Sequence, residues 1–304
     1  MLDALATVLP IFGLVLVGFA ARKLGIIDDK AGTGLAQFVF AIALPCLIFD
    51  TLARSDAPLD EPWGYWASYF GALGLTWLVA GLIARHVFGT VGIETVVAGF
   101  SAAQSNTVLI GVPLILKAFG EAAAVPLFLL VAIHLPITMS VATLLVEGRG
   151  ASLGAIVRKL ATHPILIGIA AGAALRPIAG EIPEPAWRII DMLSAAAAPA
   201  ALVAMGVALA RYGMEAGWPL PSAITACKLA LHPLLVFLLA TFVFPVPQAW
   251  IGVAVMFAAC PSGINAFLLA QTYKSGVGLA SSAVALSTAL AVLTMAGWLA
   301  LVTG

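Results

Sequence analysis

The sequence predicts an all-α integral membrane protein of ten transmembrane helices, arranged as two inverted five-helix repeats. Three observations predict it: a composition too apolar for water, apolar runs of membrane-spanning length at regular intervals, and an internal repeat with an odd number of spans. Of the 304 residues, 62% are hydrophobic and only 9% are charged, with a mean hydropathy of +1.12. A soluble chain carries about 25% charged residues, so no water-facing surface can be built from this composition. Fourteen basic and fourteen acidic residues cancel, which leaves no electrostatic footprint for a nucleic-acid partner. The expected partner is the lipid bilayer. Cys46, Cys227 and Cys260 fall inside apolar runs without disulfide or metal-ligand spacing. The first basic residue, Arg22, follows the first apolar run, which reads as a membrane helix rather than a cleaved leader.

Lipid forces every backbone hydrogen bond to be made within the segment, so a spanning helix needs roughly 20 mainly apolar residues. Cutting at polar and Gly/Pro-rich breaks gives spans at 4–22, 33–53, 63–86, 93–117, 122–146, 160–176, 186–210, 221–244, 248–272 and 277–302. Basic residues near helix ends stay cytoplasmic. One side collects Arg22, Lys23, Lys30, Arg85, Arg149, Arg158, Lys159, Arg211, Lys228 and Lys274; the other holds Arg54, Lys117, Arg176 and Arg188. This predicts a multi-pass protein of the cell membrane, inner or plasma, with both termini extracytoplasmic. The segment Ser152 to Thr162 is expected to lie as an amphipathic lead-in on the cytoplasmic face.

A constant shift of 154 places Pro10 on Pro164, Arg22 on Arg176, Pro45 on Pro199 and Glu94 on Gln248. The predicted units are residues 1–148 and 149–304. With five spans in each, the second must enter the membrane upside down relative to the first, an arrangement found in secondary transporters.

The equivalent fourth and ninth spans both carry polar residues at mid-depth. The fourth has Ser101, Gln104, Ser105, Asn106 and Thr107, then Gly111 and Pro113; the ninth has Pro261, Ser262, Gly263 and Asn265. Proline removes a backbone donor and glycine weakens a helix, so both spans are expected to unwind there. Exposed backbone at that depth is tolerated only in a cavity or buried in protein. Half-helix N-termini suit an anion, whereas unwound carbonyls with Asn or Ser oxygens suit a small cation. The candidate substrate-binding residues are Gln104, Ser105, Asn106, Thr107, Pro261, Ser262, Ile264 and Asn265. Pro45, Gly111, Pro113, Pro199 and Gly263 are candidate hinges or breaks.

The stretch from Asn106 to Leu114, NTVLIGVPL, resembles the NT-x3-G-[IV]-P-L signature of the auxin efflux carrier family. Pro261-Ser262-Gly263-Ile264 with Phe267, Ala270 and Tyr273 is similar to that family's broken ninth helix, and Leu44-Pro45 with Phe49 to its second. The resemblance covers essentially the whole chain. It implies a fold shared in outline with bile-acid sodium symporters, with spans four and nine crossing at the substrate site. It also implies a secondary transporter that moves a small organic anion by alternating access, auxin-like or a dicarboxylate such as malate or malonate. Three departures from the plant carriers favour the bacterial type: Ser105 stands where they have proline, Ala266 replaces their second ninth-helix proline, and the connection after span five is short.

Asp50 and His134 are the ionisable candidates. Asp50 can bind a proton or cation, or pair with Arg54 at i+4; His134 either lines the cavity or is a structural histidine. His163 and His232, each before a proline, read as local structural elements, and Lys228 as snorkelling to the interface. Gly168 and Gly172 allow close helix contact, within the chain or in a homodimer seam. Ser101, Thr107, Asn265 and Gln271 are a candidate sodium site, so coupling to Na+ or H+ is open, with no other cofactor expected. A sodium- or proton-coupled cation transporter or antiporter on the same fold is the alternative. No HExxH, GxSxG, P-loop or paired intramembrane carboxylates suggest an enzyme.

Overall fold

The computed structural model describes residues 2–55, 63–148, 162–214 and 216–304. Among them, eight helices are long and apolar enough to cross a membrane. These are α1 (Leu2–Lys23), α2 (Asp29–Ala53), α3 (Trp63–His86), α6 (Glu121–Glu147), α7 (Pro164–Glu181), α8 (Glu184–Leu209), α9 (Pro219–Val243) and α12 (Val277–Thr303). Four shorter helices form two interrupted elements: α4 (Ile93–Ala103) with α5 (Thr107–Phe119), and α10 (Gln248–Ala259) with α11 (Ile264–Thr272). No strand occurs among the described residues beyond one isolated bridge, Ser105 to Ser262.

Helix boundaries follow the apolar runs closely. The second helix begins at Asp29 rather than residue 33 because Asp28 caps it, its carboxylate accepting from Ala31 N at 2.7 Å. The expected amphipathic segment from Ser152 falls, except for Thr162, outside the described residues.

Four π-helical turns punctuate the helices: Val39–Ala43, Thr107–Gly111, Cys227–Leu231 and Leu239–Val243. Each ends two residues before a proline, at Pro45, Pro113, Pro233 and Pro245. A proline cannot donate to the carbonyl one turn back and crowds it, and a wider i→i+5 turn relieves both defects. Local chemistry thus sets where the helical phase slips, and three of the four slips border the site described below.

Packing divides the helices into two groups. In the first, α1 lies against α8, and α2 against both α7 and α8. Glycines bring these backbones together: a β-carbon at Gly206 would stand 1.9 Å from Val15 O, and at Gly18 2.1 Å from Val203 O. Gly168 and Gly172 face Pro45 O and Phe49 O of α2, so this small-residue seam is filled within the chain. Ion pairs tie both ends of the group. Arg22 and Arg211 converge on Asp29 at one end, and Arg54 joins Asp50 to Asp191 at the other while lying 4.1 Å over Trp187.

The second group gathers α3, α4, α5, α6, α9, α10, α11 and α12, with α3 against α4 and α9, and α12 against α9, α10 and α11. Its core is rich in fully buried aromatic and β-branched side chains, among them Tyr65, Tyr69, Phe100, Phe128, Phe257, Ile110 and Ile115.

Candidate functional site at the helix crossover

Both interrupted elements break deep in the protein. The helix α4 ends at Ala103, Gln104 turns to extended backbone, and α5 starts at Thr107. In the partner element α10 ends at Ala259, and Cys260 to Gly263 are non-helical before α11. The two breaks run antiparallel and satisfy each other: Asn106 N donates to Pro261 O at 2.8 Å, and Gly263 N to Gln104 O at 2.9 Å. This meets the requirement that buried backbone groups be paired. Gly263 is needed for the approach, since a β-carbon there would stand 3.0 Å from Ser105 O. Ser262 adds two links, donating from Oγ to Ser101 O at 2.7 Å and from its backbone N to Ser287 Oγ at 3.0 Å.

The crossover therefore brings together two helix N-termini, at Thr107 and Ile264, and two C-termini, at Ala103 and Ala259. N-termini carry partial positive charge and C-termini partial negative charge. A cavity of about 610 Å³ lies beside it. Gln104 to Leu109, Gly263, Ile264 and Asn265 line it from the crossover, and Phe40 of α2 with Ile165 and Leu166 of α7 line it from the first helix group. The helix α6 contributes the polar lining side chains Ser140, Thr143 and Glu147. The cavity thus lies between the two helix groups. The Thr107 hydroxyl and the Asn265 amide line it and make no hydrogen bond among the described residues, which leaves both for a ligand.

Sequence reasoning missed the most polar feature. Lys228, expected to snorkel to the interface, is instead fully buried. It sits nine residues beyond Pro219, about 13 Å along α9 at 1.5 Å per residue, too deep in a roughly 30 Å hydrocarbon layer to reach water easily. The π turn at Cys227–Leu231 carries its side chain inward. Its Nζ donates to Ser105 Oγ at 2.7 Å, Ala258 O at 2.5 Å and His232 Nδ1 at 3.0 Å. Three acceptors match the three donors of an ammonium group, and one of them, Ala258 O, belongs to the negative end of α10. No carboxylate among the described residues pairs with it; the ion pairs lie at the ends of the first helix group and at Arg188. His232, read from sequence as a local element, is thus part of the crossover. The signal available in the sequence was Lys228 with a histidine at i+4 and Pro233 next, inside an apolar run.

Other candidates are placed around this centre. His134 is buried behind the crossover, 3.0 Å from Tyr69 OH, and accepts from Ser105 N at 3.4 Å; it is not among the cavity-lining residues. Gln104 accepts at Oε1 from Thr138 at 2.7 Å. The Asn106 amide donates to Met205 Sδ of α8 at 3.0 Å. Gly111 closes the π turn of α5 against Cys260, and Pro113 opens the regular helix after it. Pro45 follows the π turn of α2, and Pro199 lies within α8. Asp50 lies away from the cavity in its Arg54 pair. Of the four residues considered for sodium, Thr107 and Asn265 line the cavity. Ser101 is buried with its hydroxyl on Val97 O, and Gln271 is exposed.

Broken helices meeting around a polar centre, inside a multi-pass apolar bundle with a cavity alongside, define the class of membrane transport proteins. The chain matches the family model described as Membrane transport protein over residues 3–299 and belongs to that family, the auxin efflux carriers. It is 34% identical over 320 residues to a protein of Rhizobium meliloti (strain 1021) named "Putative malonate transporter", covering 99% of this chain and 97% of that one. It is also 26% identical over 301 residues to an "Uncharacterized transporter" of Methanothermobacter thermautotrophicus, covering 96% of each chain.

Proposed function

We propose that the protein is a secondary transporter carrying a small carboxylate of the malonate or malate type by alternating access. The observation that carries the reading is the Lys228 ammonium, buried at the crossover among three neutral acceptors and without a carboxylate partner among the described residues. A buried charge is costly unless compensated, and an anion in the adjoining cavity supplies the compensation through Ser105, which touches both. The helix N-termini at Thr107 and Ile264 add partial positive charge. The same ammonium argues against a cation as the carried species. The name of the 34% identical relative points to the same substrate class.

Counting each interrupted element as one span gives ten, in two inverted repeats over 1–148 and 149–304. Supporting this, the order is the same in both halves, with the fourth element interrupted each time. The packing of α1 on α8 is matched by that of α7 on α2, the equivalent elements. The clamped group α1, α2, α7 and α8 serves as the scaffold, and the crossover group moves against it. With basic residues inside, both termini lie outside. The cavity then extends toward the cytoplasmic side, where Glu147 and His163 flank the connection between the halves.

The test is counterflow of labelled malonate in proteoliposomes, competed by a panel of mono- and dicarboxylates, with and without a sodium gradient. Saturable uptake stimulated by internal carboxylate is expected, at a rate independent of sodium because no carboxylate of the described residues joins the neutral oxygens at the helix breaks. Uptake of cations with no carboxylate competition would overturn the reading.

A further inference from the structure

One hydrogen bond at the crossover joins the two helix groups and ends on sulfur. The Asn106 side chain, in the wall of the cavity, donates its amide N–H to the thioether of Met205 at 3.0 Å. Among the described residues, the other hydrogen bonds at the breaks are made within the crossover group itself. Met205 belongs to α8, whose backbone is pinned on both sides at this level. Gly206 admits the α1 backbone at Val15, and Val207 fills the space beside Gly32 of α2. Met205 is fully buried and is not among the cavity-lining residues, so a ligand in the cavity meets Asn106 first.

A thioether is a weak acceptor on a flexible, polarizable side chain. A carboxylate oxygen forms a shorter and stronger bond to the same N–H. We propose that Met205 is a positioning residue that holds the Asn106 amide in the empty carrier and yields it to the substrate carboxylate. This exchange cuts a link between the moving group and the scaffold at the moment of loading. The bond keeps the buried amide satisfied when no ligand is present, yet is weak enough not to compete strongly with one. It also ties loading to release of the α5–α8 contact, so a loaded carrier reorients more readily than an empty one. The inference rests on the reading that the crossover binds a carboxylate.

The experiment compares wild-type protein with Met205→Leu and Met205→Gln in malonate counterflow and in malonate-dependent thermal shift, after confirming that each variant is monodisperse. Leucine keeps the volume but removes the acceptor, leaving the amide unsatisfied in the empty state. The apparent KM and Kd are then expected to fall roughly two- to tenfold, with a rise in zero-trans efflux relative to exchange. Glutamine offers an amide oxygen that holds Asn106 more firmly, and both constants are expected to rise by a similar factor. Opposite shifts support the proposal, whereas a purely structural role would move both variants the same way, in maximal rate and stability. Unchanged constants in both variants, or a rise with leucine, would overturn it while leaving the carboxylate reading intact. Wild-type protein that neither binds nor exchanges any carboxylate would overturn both.

Discussion

The two helix groups solve opposite problems with the same apolar alphabet. The clamped group has its polar chemistry at its ends, in the Arg22–Asp29–Arg211 and Asp50–Arg54–Asp191 clusters, and joins its helices by glycine-to-backbone contacts at mid-depth. The crossover group reverses this, with Lys228, Ser105, His134, His232, Gln104 and Ser262 all buried near its centre. Close backbone packing at depth makes a stiff unit with nothing for a polar ligand to hold. Polar groups at depth cost stability unless satisfied, and they are kept where they handle a solute. On the proposed reading the clamped group is the scaffold and the crossover group holds the site.

Substitutions in the two groups should therefore fail differently. The largest functional effect outside Lys228 is expected at Asn106. Asn106→Ala removes a donor to the substrate in a dry site, worth roughly 1–3 kcal/mol, or about 5- to 150-fold in transport efficiency. Its unfolding temperature should move little, because the amide's present partner is only a thioether. Counterflow alongside thermal unfolding separates the two readouts. In the scaffold the pattern inverts at Gly206, where a β-carbon would stand 1.9 Å from Val15 O. Gly206→Ala is expected to cost about 1–3 kcal/mol of stability through overpacking, seen as a lowered unfolding temperature, with the substrate KM of the surviving folded fraction unchanged. Smaller still is Arg54→Ala. Its ion pairs are 45% exposed on the arginine side, so the loss should stay near or below about 1 kcal/mol and shrink in high salt. Cys227→Ala, whose thiol is free and makes no hydrogen bond among the described residues, should leave transport at the wild-type rate.

Much of this division was legible in the sequence. Apolar run length fixes the spans because lipid leaves the backbone no alternative. The breaks announce themselves through Gln104 to Thr107 and Pro261 to Asn265, clusters of polar and helix-weakening residues at matched places. What the sequence hid depends on helical phase and on partners distant along the chain. Lys228 looks like an interfacial lysine until the π turn before Pro233 directs it inward to Ser105, 123 residues away. Tyr69 and Met205 look like ordinary core residues, and only the fold brings them to His134 and Asn106. Gly168 and Gly172 announced a close contact but not its partner, since small residues fit any helix that approaches.

The central claim is that an unpaired buried ammonium draws the substrate anion, and Lys228→Met tests it most directly. Methionine has similar length and no charge: it removes the desolvation cost of the buried ammonium but leaves Ser105 Oγ, Ala258 O and His232 Nδ1 without their shared donor. The two effects oppose each other, and the variant is expected to insert and fold with an unfolding temperature close to that of the wild type. Its carboxylate counterflow should fall roughly 100-fold or more, the loss associated with leaving a buried charge without its counterpart. A folded Lys228→Met protein exchanging carboxylates at the wild-type rate would contradict the account.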